Sequence, residues 1–188
     1  MAIFASGSGT NMQIICNYFE KNPKILIKSV FSNNKNAFVL ERAKNLKIDS
    51  FIINRYDFYN STKVLDLIKS QDIDIIVLAG FLWLVPEYLI DEFPKRIINI
   101  HPALLPKYGG KGMYGEHVHR AVFENNETET GITIHFVNKN YDEGDIIFQK
   151  SVPISENDNP ETIAQKVHEL EYEFFPKIIE LAIYLPDL

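Results

Sequence analysis

The sequence predicts an α/β fold: a doubly wound, mostly parallel sheet with a C-terminal β-extension and helix. Three observations predict this class. Short apolar runs alternate with stretches of helical spacing through residues 1–100, a glycine-rich turn follows the first apolar run, and two strand-like runs precede a long final helical stretch. Strict alternation of strands and helices is typical of βαβ units, which form a parallel sheet with helices on both faces.

The first half of the chain contains the alternating elements. Its apolar, β-branched runs predict strands at 2–6, 25–32, 50–54, 73–80 and 96–100. Between these runs, apolar residues at helical spacing predict helices at 11–21, 37–46, 61–70 and 86–93. The two periodicities together favour a parallel sheet covered by helices.

The character of the sequence changes after residue 105. A mobile surface loop is predicted by the glycine-rich stretch "LLPKYGGKGMYGEH", and a helix is expected near 115–125. Two strands joined by a loop are predicted at 131–137 and 145–153, where the sequence reads "GITIHFV" and "DIIFQKSVP". This pair would extend the sheet.

The last predicted element is a helix at 159–185. Asn159 is a suitable N-cap and Pro160 a suitable first residue, because the first helical positions need no N–H donor. Pro176 lies inside the stretch and is expected to kink or divide the helix.

Length and composition set limits on function. The chain has 188 residues, enough for one domain with a full core, and its net charge of -6 gives no reason to expect binding to long nucleic acids. Its one cysteine, Cys16, excludes an intrachain disulfide and lies in an apolar helical pattern, so we expect a buried, unreactive thiol. We find no secretory leader and no apolar run of about 20 residues. We expect a cytoplasmic protein without a membrane partner.

A glycine-rich turn, "ASGSGTNM" (5–12), joins the first strand to the first helix. Gly7 and Gly9 would let the backbone approach an anion at the helix N-terminus, and Thr10 and Asn11 could add donors. The dinucleotide fingerprint is not met, because Met12 stands where a third glycine is needed. A phosphomonoester is therefore a better ligand than NAD or ATP, and a plain tight turn before a capped helix is the alternative.

The stretch "INIHPALLP" (98–106) ends a predicted strand with two polar side chains on one face, Asn99 and His101. An amide donor beside a histidine suits a developing oxyanion, and a nearby carboxylate would raise the pKa of the histidine and keep it protonated. Asp142, Glu143 and Asp145 are the candidate acids, and spacing alone does not separate them.

Other polar residues give weaker indications. His117 and His119 form an H-x-H pair, but no third ligand follows at a convincing spacing, so we expect no metal. His135 alternates within a predicted strand and is expected to be packed or hydrogen-bonded. His168 and Glu171 share a helix face, where they could hold a polar ligand or form a surface pair.

Four stretches together resemble a known family. In order along the chain, they read "SGSGTNM", "VLAGFLWLV", "NIHPALLPKYGG" and "YDEGDIIFQ". They resemble the folate-dependent glycinamide ribonucleotide formyltransferases of purine synthesis, and the likeness extends from residue 3 to about 185. The resemblance implies a Rossmann-like formyltransferase fold over 1–188, with a phosphate-binding half (1–100) and a folate and catalytic half (101–188). It implies transfer of the formyl group of 10-formyltetrahydrofolate to the amine of 5-phosphoribosylglycinamide.

The resemblance also implies roles for individual residues. The catalytic positions would be Asn99, His101 and Asp142, since the family's aspartate precedes one residue and then a glycine. The substrate phosphate would be bound by Gly9, Thr10 and Asn11, and the rest of the ribonucleotide by His168 and Glu171. The folate would contact Leu82, Trp83, Leu84, Val85, Asn138, Asn140 and Tyr141. An arginine that some members use near the folate tail has no clear counterpart, and Arg55 and Lys63 are the two candidate substitutes.

Three other functions are considered. A formyltetrahydrofolate hydrolase would use water as the nucleophile, and a transfer-RNA formyltransferase would need a basic extension for which the chain has no spare length. A non-catalytic nucleotide-binding module would explain the glycine loop but not the placement of Asn99 and His101. We expect small-molecule substrates as partners, with no nucleic acid, and a monomer or homodimer.

Overall fold

The computed structural model describes residues 1–185. The chain divides into two compact units, the first formed by residues 1–98 and the second by the chain from Asn99 onward. Within residues 1–185, hydrogen bonding places seven strands in the order β3-β2-β1-β4-β5-β6-β7, numbered along the chain. The α/β class and the mostly parallel sheet predicted from the alternating pattern are confirmed.

The first unit contains the parallel part of the sheet. Its strands are β1 (Ala2–Phe4), β2 (Ser29–Ser32), β3 (Asp49–Ile52) and β4 (Ile76–Leu78). Its helices are α1 (Thr10–Phe19), α2 (Phe38–Asn45), α3 (Arg55–Asn60), α4 (Lys63–Ser70) and α5 (Glu87–Glu92). Strand β1 pairs in parallel with β2 and β4, and β2 pairs in parallel with β3. Every residue of β1, β2 and β4 is buried, as expected for parallel strands covered on both faces.

Strand β5 (Ile97–His101) carries the chain into the second unit. The elements that follow are α6 (Glu116–Glu124), β6 (Glu129–Phe136), β7 (Ile146–Pro153) and α7 (Pro160–Tyr184). Strands β6 and β7 pair antiparallel, so the predicted two-stranded extension is confirmed. A register shift between Ile134 and His135 interrupts the pairing. Such irregularities turn a side chain away from the regular alternation.

The N-terminus of α7 was predicted correctly. The Asn159 side chain accepts a hydrogen bond from the Thr162 N–H, and the Thr162 hydroxyl accepts one from the Asn159 N–H, which forms a capping box. The expectation that Pro176 would divide this stretch is wrong, because α7 continues through Pro176 as one helix. Buried Phe175, Ile178 and Ile179 surround the proline in sequence, and their packing offsets the backbone hydrogen bond that it cannot make.

One short helix, α3, was not predicted. Its N-cap, Asn54, accepts a hydrogen bond from the Asp57 N–H at 2.8 Å, which is an ordinary start signal. The segment lacks the repeated apolar spacing that indicated the other helices, and only Phe58 within it is buried. None of the helices in residues 1–185 combines the length and apolar character needed to cross a bilayer.

Candidate active site

The glycine turn leads directly into α1. Gly9 is the N-cap residue, in the left-handed region with φ 74°, and no described side chain caps the helix. The first turn of α1 contains no acidic residue in the described chain. The N–H groups at this end of α1 are therefore suited to an anion, which the helix dipole also favours.

Helix α2 supports the glycine turn from one side. A Cβ atom on Gly9 would lie 2.5 Å from Cγ2 of Val39 and 2.8 Å from its Cα, so only glycine fits there without displacing the helix. The Val39 N–H donates to the Gly7 carbonyl at 3.1 Å, and Nε of Arg42 donates to the Ser8 carbonyl at 2.9 Å. The turn is thus fixed by both backbone and side-chain contacts, and a guanidinium lies beside it.

In the second unit, Asn99 and His101 point to the same side of β5 because they are two residues apart. His101 is only 3% exposed, whereas Asn99 is half-buried. Nε2 of His101 lies 2.7 Å from the Tyr108 carbonyl oxygen, and Nδ1 lies 3.5 Å from Oδ2 of Asp142. Nδ2 of Asn99 lies 3.4 Å from Oδ1 of the same carboxylate. The structure therefore brings Asn99, His101 and Asp142 together.

The loop between β6 and β7 presents Asp142. This residue is in the left-handed region with φ 57°, and its side chain is 11% exposed. The Gly110 N–H donates to Oδ2 at 2.9 Å. A Cβ atom on Gly144 would lie 1.7 Å from the Phe136 carbonyl oxygen, which no real contact allows. Glycine at this position lets the loop return close to the end of β6, and this close approach positions Asp142.

His135 is a member of this cluster that the sequence did not identify. Its Nε2 lies 3.0 Å from Nδ2 of Asn99 and 3.7 Å from Oδ1 of Asp142, and the ring is 2% exposed. Its Nδ1 lies 2.8 Å from the Phe136 carbonyl oxygen. Because a carbonyl only accepts, Nδ1 carries a proton, and Nε2 faces both the Asn99 amide and the Asp142 carboxylate. His135 thereby orients Asn99.

The protonation of His101 differs from the expectation. Burial lowers the pKa of His101, and this effect outweighs the opposite effects of Asp142 and the Tyr108 carbonyl, so the pKa lies below its ordinary value. The expectation that Asp142 keeps His101 charged is therefore wrong for the protein without substrate. Burial raises the pKa of Asp142, but hydrogen bonding to His135, the electrostatic effect of the His101 ring and the Gly110 N–H together lower it below the usual range. Asp142 is an ionised acceptor.

The other two candidate acids differ from Asp142 in their exposure to solvent. Glu143 and Asp145 are exposed, and Oε2 of Glu143 accepts from Nδ2 of Asn140 at 2.6 Å. Nδ2 of Asn138 donates to the Glu143 carbonyl at 3.0 Å. The predicted folate contacts Asn138 and Asn140 therefore take part in the internal hydrogen bonding of this loop, and Tyr141 beside them is half-buried.

The remaining predicted folate contacts lie in the first unit, after β4. Leu82 is 44% exposed, Trp83 and Leu84 are half-buried, and Val85 is buried. The Trp83 ring belongs to an aromatic cluster with Phe58, Tyr59 and Phe81. The Arg55 guanidinium lies over the rings of Tyr59 and Trp83, at 5.2 and 5.8 Å from their centroids. A cavity of about 500 Å³ is lined by Arg55, Tyr56, Tyr59 and Asn60.

Helices α6 and α7 bring several predicted residues together in the second unit. Glu171 is buried, with 7% of its surface exposed. The alternative prediction, that Glu171 and His168 form a pair on the protein surface, is therefore wrong for Glu171. The His168 ring lies 6.1 Å from the ring of His119 and 6.0 Å from that of Tyr172. His119 is buried, whereas its H-x-H partner His117 is exposed, so the pair does not present two ligands to one ion.

Cys16 is buried, and burial raises the pKa of its thiol to about 12. The thiol donates to Sδ of Met12 at 3.4 Å. The expectation of an unreactive core cysteine is confirmed. Among the residues that the structure describes, no group of three or more His, Cys, Asp or Glu side chains is arranged to hold a metal ion.

The chain belongs to the formyl transferase family, a class of group-transfer enzymes. The sequence model of that family matches residues 1–179.

Within that family, similar proteins include several phosphoribosylglycinamide formyltransferases. One from Haemophilus influenzae is 37% identical over 187 residues, covering 96% of this chain and 85% of the relative. The chloroplastic protein of Arabidopsis thaliana is 36% identical and is matched over 63% of its own length and 95% of this chain. The crystal structure of the Bacillus halodurans protein superimposes with a TM-score of 0.85 at 34% identity, covering 96% of this chain and 94% of that one.

Proposed function

We propose that this chain transfers the formyl group of 10-formyltetrahydrofolate to the amine of 5-phosphoribosylglycinamide, a step of purine biosynthesis. The observation that carries the proposal is the contact of the Asp142 carboxylate with both Asn99 and His101, two residues of β5, in a chain of the formyl transferase family. The names of its relatives support formyl transfer to phosphoribosylglycinamide.

The reaction needs stabilisation of negative charge. The amine lone pair attacks the formyl carbon, and the carbonyl electron pair moves onto oxygen. The tetrahedral species then collapses as the bond to the folate nitrogen breaks. The leaving nitrogen gains the proton that the attacking amine loses. Preorganised donors beside such an oxygen contribute about 2–4 kcal/mol each.

Asn99 and His101 are the proposed donors. In the protein without substrate, the Asn99 amide contacts His135 and Asp142, and Nε2 of His101 donates to the Tyr108 carbonyl. The contact of 3.4 Å with Asp142 is the weakest of these, so an oxyanion can replace it at the Asn99 amide. A negative charge forming beside the neutral His101 ring raises its pKa, and the ring is then protonated as the charge develops.

Asp142 is the proposed partner of His101 in proton transfer. Its carboxylate faces Nδ1 at 3.5 Å and already opposes the effect of burial on the pKa of His101. We propose that it stabilises the protonated ring and, through water, helps to move the proton from the amine to the leaving nitrogen. No covalent intermediate is required.

The ribonucleotide is proposed to bind at two sets of residues. The phosphate would accept hydrogen bonds at Gly9, Thr10 and Asn11, where the N-terminus of α1 has no described side-chain cap. His168 and Glu171 would contact the ribose and the glycinamide. The buried Glu171 carboxylate suits hydroxyl and amine donors.

The folate is proposed to contact Leu82, Trp83, Leu84, Val85, Asn138, Asn140 and Tyr141. The exposed and half-buried apolar side chains among them suit a flat heteroaromatic ring. For the carboxylate tail we propose Arg55 rather than Lys63, because Nζ of Lys63 is paired with Asp57 at 2.9 Å. The Arg55 guanidinium is instead held over two rings beside a cavity.

The setting of the protein is part of the proposal. We propose a cytoplasmic monomer or homodimer whose partners are small molecules, with no nucleic-acid or membrane partner. The net charge of -6 disfavours a phosphate polymer, and a single cysteine is compatible with a reducing compartment.

The test is to follow deformylation of 10-formyltetrahydrofolate by absorbance with and without 5-phosphoribosylglycinamide. We expect turnover only with the ribonucleotide, and loss of most turnover in His101→Asn without loss of the fold. Turnover without the ribonucleotide would favour the hydrolase, and no turnover in either mixture would favour the binding module. Normal rates in His101→Asn would contradict the catalytic assignment.

A further inference from the structure

Glu127 contacts two consecutive residues of the loop that follows β5. Its carboxylate accepts from Nζ of Lys107 at 2.9 and 3.1 Å and from the Tyr108 hydroxyl at 2.9 Å. The hydrogen bond from Lys107, followed by that from Tyr108, lowers the pKa of the Glu127 carboxyl. Glu127 lies just after α6, where its N–H donates to the Val122 carbonyl at 3.3 Å. One ionised side chain on an ordered turn therefore anchors two loop residues.

The anchored segment, residues 107–110, contacts both His101 and Asp142 through its backbone. The Tyr108 carbonyl accepts from Nε2 of His101 at 2.7 Å, and the Gly110 N–H donates to Oδ2 of Asp142 at 2.9 Å. Tyr108 adopts a left-handed conformation with φ 56°, which a tyrosine rarely takes without support from neighbouring contacts. Because the carbonyl only accepts, it fixes the proton of the neutral ring on Nε2 and leaves Nδ1 facing Asp142.

Other contacts fix the start of this loop, at Leu105, but not the hydroxyl of Tyr108. The Leu105 N–H donates to the Thr133 hydroxyl at 3.0 Å, and the Leu105 carbonyl accepts from Gln149 at 2.9 Å. The Tyr108 ring packs against a small apolar cluster of Ala103, Val118, Val122 and Ile163. Packing of this kind limits the ring to one side but does not set its rotation, whereas the hydrogen bond to Glu127 does.

We propose that Glu127 is a positioning residue for formyl transfer. By anchoring Lys107 and Tyr108, it holds the Tyr108 carbonyl on His101 and so sets the proton position on the catalytic ring. The inference rests on the proposed function of His101, but its first readout does not require turnover. No role for Glu127 follows from the sequence pattern, because the residue lies on a polar turn with nothing to mark it.

The groups that face His101 determine what loss of the anchor would do. Asp142 and the Tyr108 carbonyl raise its pKa, whereas burial and His135 lower it, and His119 on α6 is near enough for its own pKa to respond to His101. Loss of the contact with the Tyr108 carbonyl removes one of the two effects that raise the pKa of His101. We therefore expect the pKa of His101 to fall further when the anchor is broken.

The experiment compares Glu127→Ala with Glu127→Gln, which keeps an acceptor for the Tyr108 hydroxyl, and with Glu124→Gln, an exposed glutamate on α6, as the control. The pKa of His101 is measured by NMR titration of the ring in the free protein, and kcat and KM are measured for both substrates. We expect Glu127→Ala to lower the His101 pKa and to reduce kcat about 2- to 10-fold, with little change in KM. In Glu127→Gln, the His101 pKa and kcat should both return most of the way to their wild-type values. Glu124→Gln should match the wild type in both quantities.

An unchanged His101 titration in a folded Glu127→Ala protein would overturn the proposal, even if its Tm falls, since that result describes a structural role alone. A fall in pKa that Glu127→Gln reverses would support it. Absence of formyl transfer by the wild type would instead overturn the proposed function, and the NMR titration would still decide the role of Glu127.

Discussion

The buried ring of His119 should make the protein less stable in mild acid. Burial, followed by the nearby rings of His168 and His101, lowers the pKa of His119 to about 4. Its Nδ1 has no hydrogen-bond partner in the described chain. The unfolded chain binds a proton at this histidine below its ordinary pKa of 6.5, whereas the folded protein binds it only near 4. The contribution of the neutral His119 ring to the free energy of unfolding is therefore complete above about pH 6.5 and is lost as the pH falls towards 4.

The size of the effect follows from the two pKa values. A difference between 6.5 and about 4 corresponds to a loss of about 2 kcal/mol near pH 5 and about 3 kcal/mol near pH 4. His101 and His168 also have lowered pKa values and act in the same direction, so the wild-type profile alone does not isolate His119. The comparison must be with a variant that cannot titrate at this position.

His119→Leu is that variant, and His117→Gln, exposed on the same helix, is its matched control. The assay is urea unfolding followed by circular dichroism near pH 7.5 and near pH 5. We expect the free energy of unfolding of His119→Leu to fall by about 2 kcal/mol less than that of the wild type over this interval. His117→Gln should follow the wild type. Equal pH dependence in all three proteins would refute the reasoning, whatever their absolute stabilities.

Three further predictions concern the proposed site. Asp142→Asn should lower kcat by about 100-fold in steady-state assays with an unchanged Tm, whereas the exposed Glu143→Gln should not; equal rates in the two variants would contradict the assignment. Gly144→Ala should cost about 3 kcal/mol in denaturant unfolding and lower kcat, because its Cβ meets the Phe136 carbonyl; a stable, active variant would exclude the proposed loop geometry. Gly9→Ala should raise the KM for the ribonucleotide about tenfold but not that for the folate, and a selective change in the folate KM would argue against phosphate binding at α1.

The sequence predicted the elements whose signals are local. Strands β1 to β5 stand out because apolar runs alternate with amphipathic helices, and the start of α7 stands out because Asn159 and Pro160 are side by side. Strand ends were predicted too long, since apolar residues such as Ile53 remain buried after a strand has ended. Helix α3 was missed because its start signal at Asn54 precedes only one buried residue.

The candidate site was predictable only in part. Asn99 and His101 are two residues apart, so their common face follows from the strand period alone. The contact of His135 with Asn99 joins residues 36 positions apart, and it depends on strand register and on the irregularity beside His135. The net lowering of the His101 pKa depends on burial, which is a property of the whole fold and not of the motif.

The buried thiol has a practical consequence. Cys16 is the only cysteine in the chain, and with a pKa near 12 its thiolate is almost absent at neutral pH. Maleimide probes would therefore react with a cysteine introduced on the surface and leave the native one untouched. Lys111 is exposed in the loop after β5. A fluorophore attached to a cysteine at this position, in Lys111→Cys, would report movements of that loop during turnover, and Cys16 would not have to be replaced first.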